Sequence, residues 1–335
     1  MSTLALDIGT YSIKAIAGTA GPKPKIERIA EVFNTTGIAV PTDDVSQDKL
    51  VNLIESVIVD NDLPRTDVRI SLPESVISTK IIEIPPLSDA ELASAIGWQA
   101  EQHIPIPPEE LALEYQVLYR GPKKEKEPMR ILLVGARKQI VDRFVDMFHI
   151  LGIEPSLVET HMISLIRSLM FTPEDPNTMI VHLGASSMNM SIIQKGELTF
   201  VTSHMNGGQL LTKALEQTVG LDQHQAEKYK RTYGLDETQF QGKVAAALLP
   251  GLQILTAEMK KSIQFFVTQN PTESIQRVVL SGGTAAMPNL VQYIAQELGT
   301  EVLVAAPFTG IDGAIPETIN PPAMGVCMGL LLREM

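Results

Sequence analysis

The stretch LALDIGTYSIKAIA, from Leu4 to Ala17, decides the fold, because a second copy of its pattern occurs later in the chain. The second copy is IVHLGASSMNMSII, residues 180–193, and it aligns with the first at one constant offset without a gap. Both copies consist of an apolar run, a short turn that contains glycine, and a second apolar run, which predicts two antiparallel strands. The alignment places His182 of the second copy over Asp7 of the first. A repeat of this kind indicates a chain built from two similar α/β lobes.

The glycine turn of each copy is a candidate phosphate-binding loop. Glycine allows the backbone to approach a ligand closely, and successive N–H groups in a tight turn can bind phosphate oxygens. Lys14 would add positive charge, and the Asp7 carboxylate suits Mg²⁺, a cation that prefers oxygen ligands. The hydroxyl groups available as further donors are those of Thr10, Ser12, Ser186 and Ser187. Two such turns that face each other would hold a polyphosphate between the lobes. The alternative is a pair of ordinary hairpin turns in a duplicated fold.

The composition is that of an ordinary globular protein with an acidic surface. The chain has 335 residues, 44% of them hydrophobic, and a formal net charge of -12 from 27 basic and 39 acidic side chains. This charge argues against nucleic acid as a partner, because phosphate binding needs a basic face. The one cysteine, Cys327, has no partner for an internal disulfide bond, which fits a reducing compartment. The sequence shows neither a signal peptide nor an apolar run of about 20 residues, so we expect a cytoplasmic protein.

A segment with a different pattern lies between the two copies. Residues 76–155 predict a compact βαββα insertion within a first lobe of residues 1–155, and a second lobe occupies residues 156–335. The helix of the insertion begins at Ser88, the first residue of a capping-box pattern. We expect Trp98, on the same helix, to lie in the core; the alternative is a position in a groove that binds a partner.

These motifs together resemble those of the actin-like ATPase superfamily. The run DIGTYSIK (7–14) is similar to its first phosphate motif, HLGASSMN (182–189) to its second, and SGGTA (281–285) to its adenosine motif. Within that superfamily, residues 84–118 and the tail NPPAMGVCMGLLLRE (320–334) resemble the PilM family of type IV pilus assembly proteins, which is related to the division protein FtsA. The likeness extends over nearly the whole chain.

The resemblance implies a two-lobed actin-like ATPase fold of duplicated ribonuclease-H-like lobes, with ATP or ADP and Mg²⁺ between them. The phosphate loops would contain Asp7, Gly9, Thr10, Ser12 and Lys14 in the first lobe, and Gly184, Ser186, Ser187 and Asn189 in the second. A helix N-terminus at Gly207 and Gly208 would face phosphate or ribose. Residues implied to contact ribose and adenine are Glu227, Lys230, Gly282, Gly283 and Thr284. For Glu227 and Lys230 the alternative is a solvated charge pair.

Two positions, Glu159 and His182, bear on hydrolysis. Glu159 falls at the crossover between the lobes, where the resemblance implies a residue that positions the attacking water, although a structural role is the alternative. His182 stands where the superfamily normally has an acidic residue, and imidazole is a poor partner for Mg²⁺. A protonated His182 would instead contact a phosphate, or His182 would be a core residue while Asp7 alone manages the metal. We therefore expect nucleotide binding with weak or no ATPase activity.

The PilM resemblance also implies a scaffold. Such a protein would bind the short cytoplasmic N-terminal tail of PilN, a single-span inner-membrane protein, in a groove beside the insertion, and would connect it with the pilus motor. Membrane association would then be indirect, through PilN, and a homo-oligomer is a further expectation to test. Two alternatives stay open at this point: an FtsA-like, membrane-associated ATPase that forms filaments, and a small-molecule kinase of the same fold.

Overall fold

The computed structural model describes residues 2–121 and 127–334. Its strands are β1 (Thr3–Ile8), β2 (Ser12–Thr19), β3 (Lys25–Phe33), β4 (Val68–Leu72), β5 (Ile77–Ile84), β6 (Leu111–Tyr119), β7 (Met129–Arg137), β8 (Pro155–Thr160), β9 (Thr178–Leu183), β10 (Met188–Gln194), β11 (Glu197–His204), β12 (Arg277–Ser281) and β13 (Glu301–Val304). Its α-helices are α1 (Asp44–Asp60), α2 (Asp89–His103), α3 (Lys138–Ile150), α4 (His161–Ser168), α5 (Gly208–Val219), α6 (Gln223–Tyr233), α7 (Lys243–Gln269), α8 (Leu290–Leu298) and α9 (Gly325–Leu332). Short 3₁₀ helices occupy Glu74–Val76, Phe240–Gly242 and Pro321–Met324.

Two five-stranded sheets have the same topology. The first has the order β3-β2-β1-β4-β8 and the second β11-β10-β9-β12-β13. In each sheet the hairpin strands are antiparallel, and two later strands continue the sheet in parallel. The register is also repeated, because Asp7 lies opposite Lys14 and His182 lies opposite Asn189. This arrangement confirms the duplicated α/β lobes that the repeat predicts.

The first strand of the first lobe is buried on both faces. Leu4 and Leu6 point into the core beneath α1 and α3, while Ala5 packs on the opposite side against α9. Side chains of a strand alternate between faces, and a parallel sheet covered on both sides therefore needs a continuous apolar run. This explains the apolar run from Leu4 to Leu6. Asp7 is an exception, because it is a charged residue buried in the same strand.

The insertion is a three-stranded antiparallel sheet of order β5-β7-β6 covered by α2. Ser88 caps α2 through the predicted capping box. Leu92, Ile96 and Ala100 are the α2 residues that pack on the sheet. Trp98 lies on another face of the helix and is 60% exposed, so the prediction of a core position was wrong.

Two elements near the predicted boundary belong to the first lobe. The helix α3 packs through Phe144 and Phe148 into the core beside α1, because its apolar stripe covers the first sheet and not the insertion. The strand β8 pairs with β4 at the edge of the first sheet. The insertion therefore spans residues 77–137, and the first sheet continues to Thr160, beyond the expected boundary at residue 155.

Two helices link the lobes. The helix α4 leads from the first sheet to the second, and α9 follows the second sheet but packs on Ala5 of the first. Gly329 of α9 lies so close to α4 that a Cβ atom would be 1.7 Å from the Ser164 carbonyl oxygen. The buried Arg69 of β4 donates a hydrogen bond of 3.0 Å to the Leu330 carbonyl near the end of α9. The close packing of α9 against α4 and β4 fixes the two lobes together, so that both hairpins line one cleft.

Candidate functional site

The two hairpin turns line a single cleft between the lobes, with an empty volume of about 810 Å³. Most of the predicted site residues line it: Asp7, Gly9, Thr10, Ser12, Lys14, Gly184, Ser186, Ser187, Asn189, Glu227, Lys230, Gly282, Gly283 and Thr284. The predicted residues outside the lining are Gly207, Gly208 and Glu159. His182 also lines the cleft, as do four residues without a role assigned from the sequence, Tyr11, His161, Gln209 and Arg231.

The two turns have the same backbone geometry. The Gly9 N–H donates to the Ser12 carbonyl at 3.1 Å, and the Gly184 N–H donates to the Ser187 carbonyl at 3.0 Å. A Cβ atom on Gly9 would lie 3.0 Å from the Ser12 carbonyl oxygen, a closer approach than ordinary side chains make. Glycine therefore relieves a tight contact in each turn, since the Cβ atom of any other residue would press on the carbonyl that closes it.

Asp7 lies at the floor of the cleft between two basic side chains. Its Oδ2 is 3.1 Å from Lys14 Nζ, and its Oδ1 is 3.1 Å from His161 Nε2. Burial tends to raise the pKa of Asp7, but Lys14 and His161 outweigh it and hold the pKa far below its usual range. Apart from His161, Oδ1 has no partner among the residues that the structure describes. An ionised, buried carboxylate with an oxygen left over fits a divalent cation such as Mg²⁺.

His182 is a neutral residue in this environment. Burial lowers its pKa to about 3, and the nearby His161 acts in the same direction. Its Nδ1 lies 3.4 Å from Ser281 Oγ, which itself donates to the Pro322 carbonyl at 2.9 Å. Nδ1 is therefore the protonated nitrogen, and Nε2 is left as an acceptor. This argues against a protonated His182 as the phosphate contact.

Gly207 and Gly208, at the start of α5, allow close packing. The N–H groups of Gly208 and Gln209 both donate at 2.8 Å to carbonyls of the second hairpin turn. These N–H groups are therefore not directed at a ligand. The sequence-based prediction that this helix N-terminus faces phosphate or ribose does not fit this geometry. A Cβ atom on Gly207 would lie 2.6 Å from the Gly184 carbonyl oxygen, and one on Gly208 would lie 2.3 Å from Thr284 Oγ1. The pair brings α5, the second hairpin and the SGGT turn together.

Glu227 and Lys230 form a buried ion pair on α6, not a solvated one. Their charged atoms are 2.6 Å apart, and Thr212 donates to the same carboxylate oxygen at 2.6 Å. Burial tends to raise the pKa of Glu227, but Lys230 outweighs it and the pKa is lowered. Arg231 holds the second oxygen at 2.8 Å. The carboxylate is thus fixed on the wall of the cleft with a defined orientation.

Arg231 also reaches the other lobe. Its guanidinium group lies over the ring of Tyr11, 4.7 Å from the centroid, and Tyr11 in turn makes an edge contact with Phe33. Tyr11 belongs to the first hairpin turn, so this cation–π contact spans the cleft.

The second lobe closes the cleft with a glycine turn after β12. Gly282 has φ +89°, and a Cβ atom there would lie 2.4 Å from the Leu183 carbonyl oxygen. Its N–H donates to the Pro322 carbonyl at 2.8 Å, and Asn320 Nδ2 donates to the Gly283 carbonyl at 3.1 Å. Only glycine tolerates both the left-handed conformation and the contact.

Glu159 does not line the cleft, and its carboxylate is already engaged. Arg167 binds both of its oxygens, at 2.7 and 2.5 Å, and also donates to the Gly329 carbonyl at 2.9 Å. This ion pair connects β8 with α4 and α9, so the structural alternative fits Glu159. His161, two residues later, lines the cleft in its place. Sequence reasoning missed it, although a histidine at the lobe crossover was a signal.

Comparison with known proteins places this geometry in a family. The model for the type IV pilus assembly protein PilM matches residues 5–334. The chain therefore belongs to the PilM family. A solved structure described as a PilM–PilN type IV pilus biogenesis complex superposes with a TM-score of 0.84 at 22% identity, covering 98% of this chain and 97% of that chain.

More distant structures share the fold. The ethanolamine utilization protein EutJ from Carboxydothermus hydrogenoformans gives a TM-score of 0.57 at 15% identity, over 99% of this chain and 89% of that chain. MreB5 of Spiroplasma citri, solved bound to AMPPNP, gives 0.53 at 11% identity, over 98% and 94%. These confirm the actin-like fold. Within residues 2–121 and 127–334, no helix is both long and apolar enough to span a membrane.

Proposed function

We propose that this chain is a nucleotide-binding scaffold of the type IV pilus assembly platform, which binds ATP or ADP with Mg²⁺ in the cleft between its lobes. One observation carries the nucleotide part of this proposal: both glycine turns line the same cleft, with Lys14 and Asp7 at its floor. Membership of the PilM family supports the pilus part. The protein would act at the cytoplasmic face of the inner membrane, to which a partner protein would attach it. Self-association into a homo-oligomer is a separate expectation, to be tested by measuring the oligomeric state.

The cleft offers a separate group of residues to each part of a nucleotide. The two turns and Lys14 would hold the phosphates. Glu227, fixed by its ion pair, would accept hydrogen bonds from the ribose hydroxyls. Gly282 and Gly283 leave a surface without side chains on which a flat base can lie. Asp7 would hold Mg²⁺ or its waters, and the cation would neutralise phosphate charge.

Slow hydrolysis follows from two side chains, His182 of the second hairpin and Glu159 of β8. Phosphoryl transfer needs a group that positions the attacking water and a well-held cation. His182 is neutral, and the Glu159 carboxylate is bound by Arg167. We therefore propose that nucleotide acts mainly as a clamp between the lobes.

The nucleotide part is tested by thermal melting with ATP, in Mg²⁺ and in EDTA. Ligand at 100 times its Kd stabilises by about 2.7 kcal/mol, which raises the Tm by several degrees. Asp7→Ala should abolish the shift, whereas Glu297→Ala, which alters an exposed ion pair with Lys260, should keep it. Absence of a shift in protein free of copurified nucleotide would refute the proposal.

The partner would be the N-terminal cytoplasmic tail of PilN. A groove of about 770 Å³ beside the insertion is lined by Val117 and Leu118 of β6 and by Ile163 and Ile166 of α4. The outer edge of β6 pairs with no other strand that the structure describes. An extended peptide can bind such an edge through its backbone while its apolar side chains enter the groove. A link to the pilus motor would run through this complex.

Peptide binding tests the partner directly. A fluorescent peptide of the PilN tail should bind the wild-type chain, and Val117→Glu should weaken binding by about tenfold or more, because it buries a charge in the groove. Ile254→Glu, on the exposed side of α7, is the matched control. Equal affinity for all three proteins would exclude this groove.

A further inference from the structure

His161 and Asp7 bring two buried polar atoms together at the floor of the cleft. Asp7 is 2% exposed and His161 is 7% exposed. Asp7 Oδ1 and His161 Nε2 are 3.1 Å apart, an ion-pair distance, and apart from each other neither atom has a partner among the residues that the structure describes. When the imidazole presents the lone pair of Nε2, both atoms are acceptors, and a positive ion between them satisfies both.

The distance between the two atoms limits what the ligand can be. A bridging water would need acceptor and donor well over 4 Å apart, because hydrogen bonds of about 2.8 Å weaken steeply when bent. A divalent cation bound by two neighbouring ligands at about 2.1 Å needs those ligands only about 3 Å apart. The observed 3.1 Å excludes a bridging water and fits either the proton of a direct ion pair or a cation bound by both atoms.

We propose that Asp7 Oδ1 and His161 Nε2 together ligate the nucleotide-bound cation, and that the imidazole ligand makes the cleft prefer Co²⁺ over Mg²⁺. Imidazole suits later first-row ions, whereas Mg²⁺ favours oxygen ligands and gives up its waters reluctantly. This inference rests on the proposed nucleotide binding and adds the identity of the metal and its second protein ligand.

The remaining ligands must come from the nucleotide and water. No three His, Cys, Asp or Glu side chains converge on a metal position within the described part of the chain. Lys14, 3.1 Å from the other oxygen of Asp7, also repels a cation that arrives alone. Phosphate oxygens supply both the missing ligands and the compensating negative charge. The cation should therefore bind tightly only in the presence of nucleotide.

The test compares metals at saturating concentration with a methylene-bridged ATP analogue, so that all analogue carries the chosen metal. Wild-type protein should bind the Co²⁺ complex at least about tenfold tighter than the Mg²⁺ complex, following the affinity order of these ions for nitrogen ligands. His161→Gln should lose this preference and keep Mg²⁺ binding, because its amide offers oxygen. His161→Asn is a second variant in case the first fails to fold. His149→Gln, a surface change on α3, should behave as wild type.

Mn²⁺ gives a readout that does not depend on affinity. Pulsed electron spin resonance of the Mn²⁺–analogue complex should show a ¹⁴N coupling in wild type that is absent in His161→Gln. Equal affinities with Mg²⁺ and Co²⁺, or no ¹⁴N coupling with analogue bound, would overturn the metal assignment and leave nucleotide binding intact. No binding with any metal would overturn both.

Discussion

In the first hairpin Asp7 lies opposite Lys14 and both are charged, whereas at the same positions of the second hairpin His182 lies opposite Asn189 and neither is charged. The backbone around them is nevertheless the same, down to the hydrogen bond that closes each turn. The Asn189 amide oxygen accepts a hydrogen bond from Ser203.

The two hairpins share a backbone conformation suited to binding phosphate, but they differ in the charged side chains that catalysis would need. Backbone N–H groups in both turns can bind phosphate oxygens, since that property depends on conformation and not on side chains. Of the two hairpins, only the first supplies charge for the cation and the phosphates. This fits the proposed role, in which the nucleotide acts mainly as a clamp and is hydrolysed slowly.

Removal of the positive charge of the first hairpin should have the largest effect. Lys14→Met removes one of the two basic partners of the buried Asp7 carboxylate, a loss of about 3 kcal/mol in the free energy of unfolding. Asn189→Leu at the matching position removes one neutral hydrogen bond and should cost about 1 kcal/mol. Urea denaturation of the nucleotide-free proteins measures both. Equal losses would show that the two hairpins are equivalent, contrary to the comparison.

The second hairpin should respond to pH in a range where the first does not. The folded-state pKa of His182 is about 3, below its unfolded value near 6.5, so the unfolded chain binds the proton first as the pH falls. Stability is lost below pH 6.5, and by pH 5 the loss is about 2 kcal/mol. Asp7, with its lowered pKa, contributes stability above about pH 4 and loses it only below that.

The measurement is urea denaturation at pH 7 and pH 5 for wild type and His182→Asn. The variant has no imidazole to titrate, so its stability should fall by about 2 kcal/mol less between the two pH values. An identical pH dependence in both proteins would mean that His182 is not held neutral by the fold.

Restoring an acid to the second hairpin should increase hydrolysis. His182→Asp supplies a second carboxylate on the cleft wall, which can hold a water on the cation during phosphoryl transfer. We expect Mg²⁺-dependent phosphate release to rise about tenfold, equivalent to about 1.4 kcal/mol of activation energy. His182→Asn is the control without charge. An unchanged rate in His182→Asp, with nucleotide still bound, would place the barrier elsewhere.

The two glycine turns were predictable because their structure is determined locally. A tight glycine turn between two apolar runs specifies a hairpin by itself, and the repetition of that pattern specifies the second lobe. The cross-strand pairing of Asp7 with Lys14 then follows from strand register. No information about distant parts of the chain was needed.

The lobe crossover was not predictable in the same way. Glu159 ends up in an ion pair and His161 in the cleft because β8 ends at Thr160 and α4 begins at the next residue. At such a junction the dihedral angles of one or two residues decide which side chain faces a ligand. The exposed Trp98 is a similar case, because only the packing of α2 on its sheet determines which face is buried.

The smallest expected effect concerns the contact between Tyr11 of the first hairpin turn and Arg231 of the second lobe. Tyr11 in the first turn reaches Arg231 of the other lobe, whereas Ser186 occupies the matching position in the second turn. A double-mutant cycle of Tyr11→Leu and Arg231→Gln should give a coupling energy of about 0.5–1 kcal/mol for this cation–π contact. The same cycle with Ser186→Ala in place of Tyr11→Leu should give no coupling. If the Tyr11 cycle also gives none in urea denaturation, the contact does not hold the lobes together, and closure of the cleft depends on the nucleotide alone.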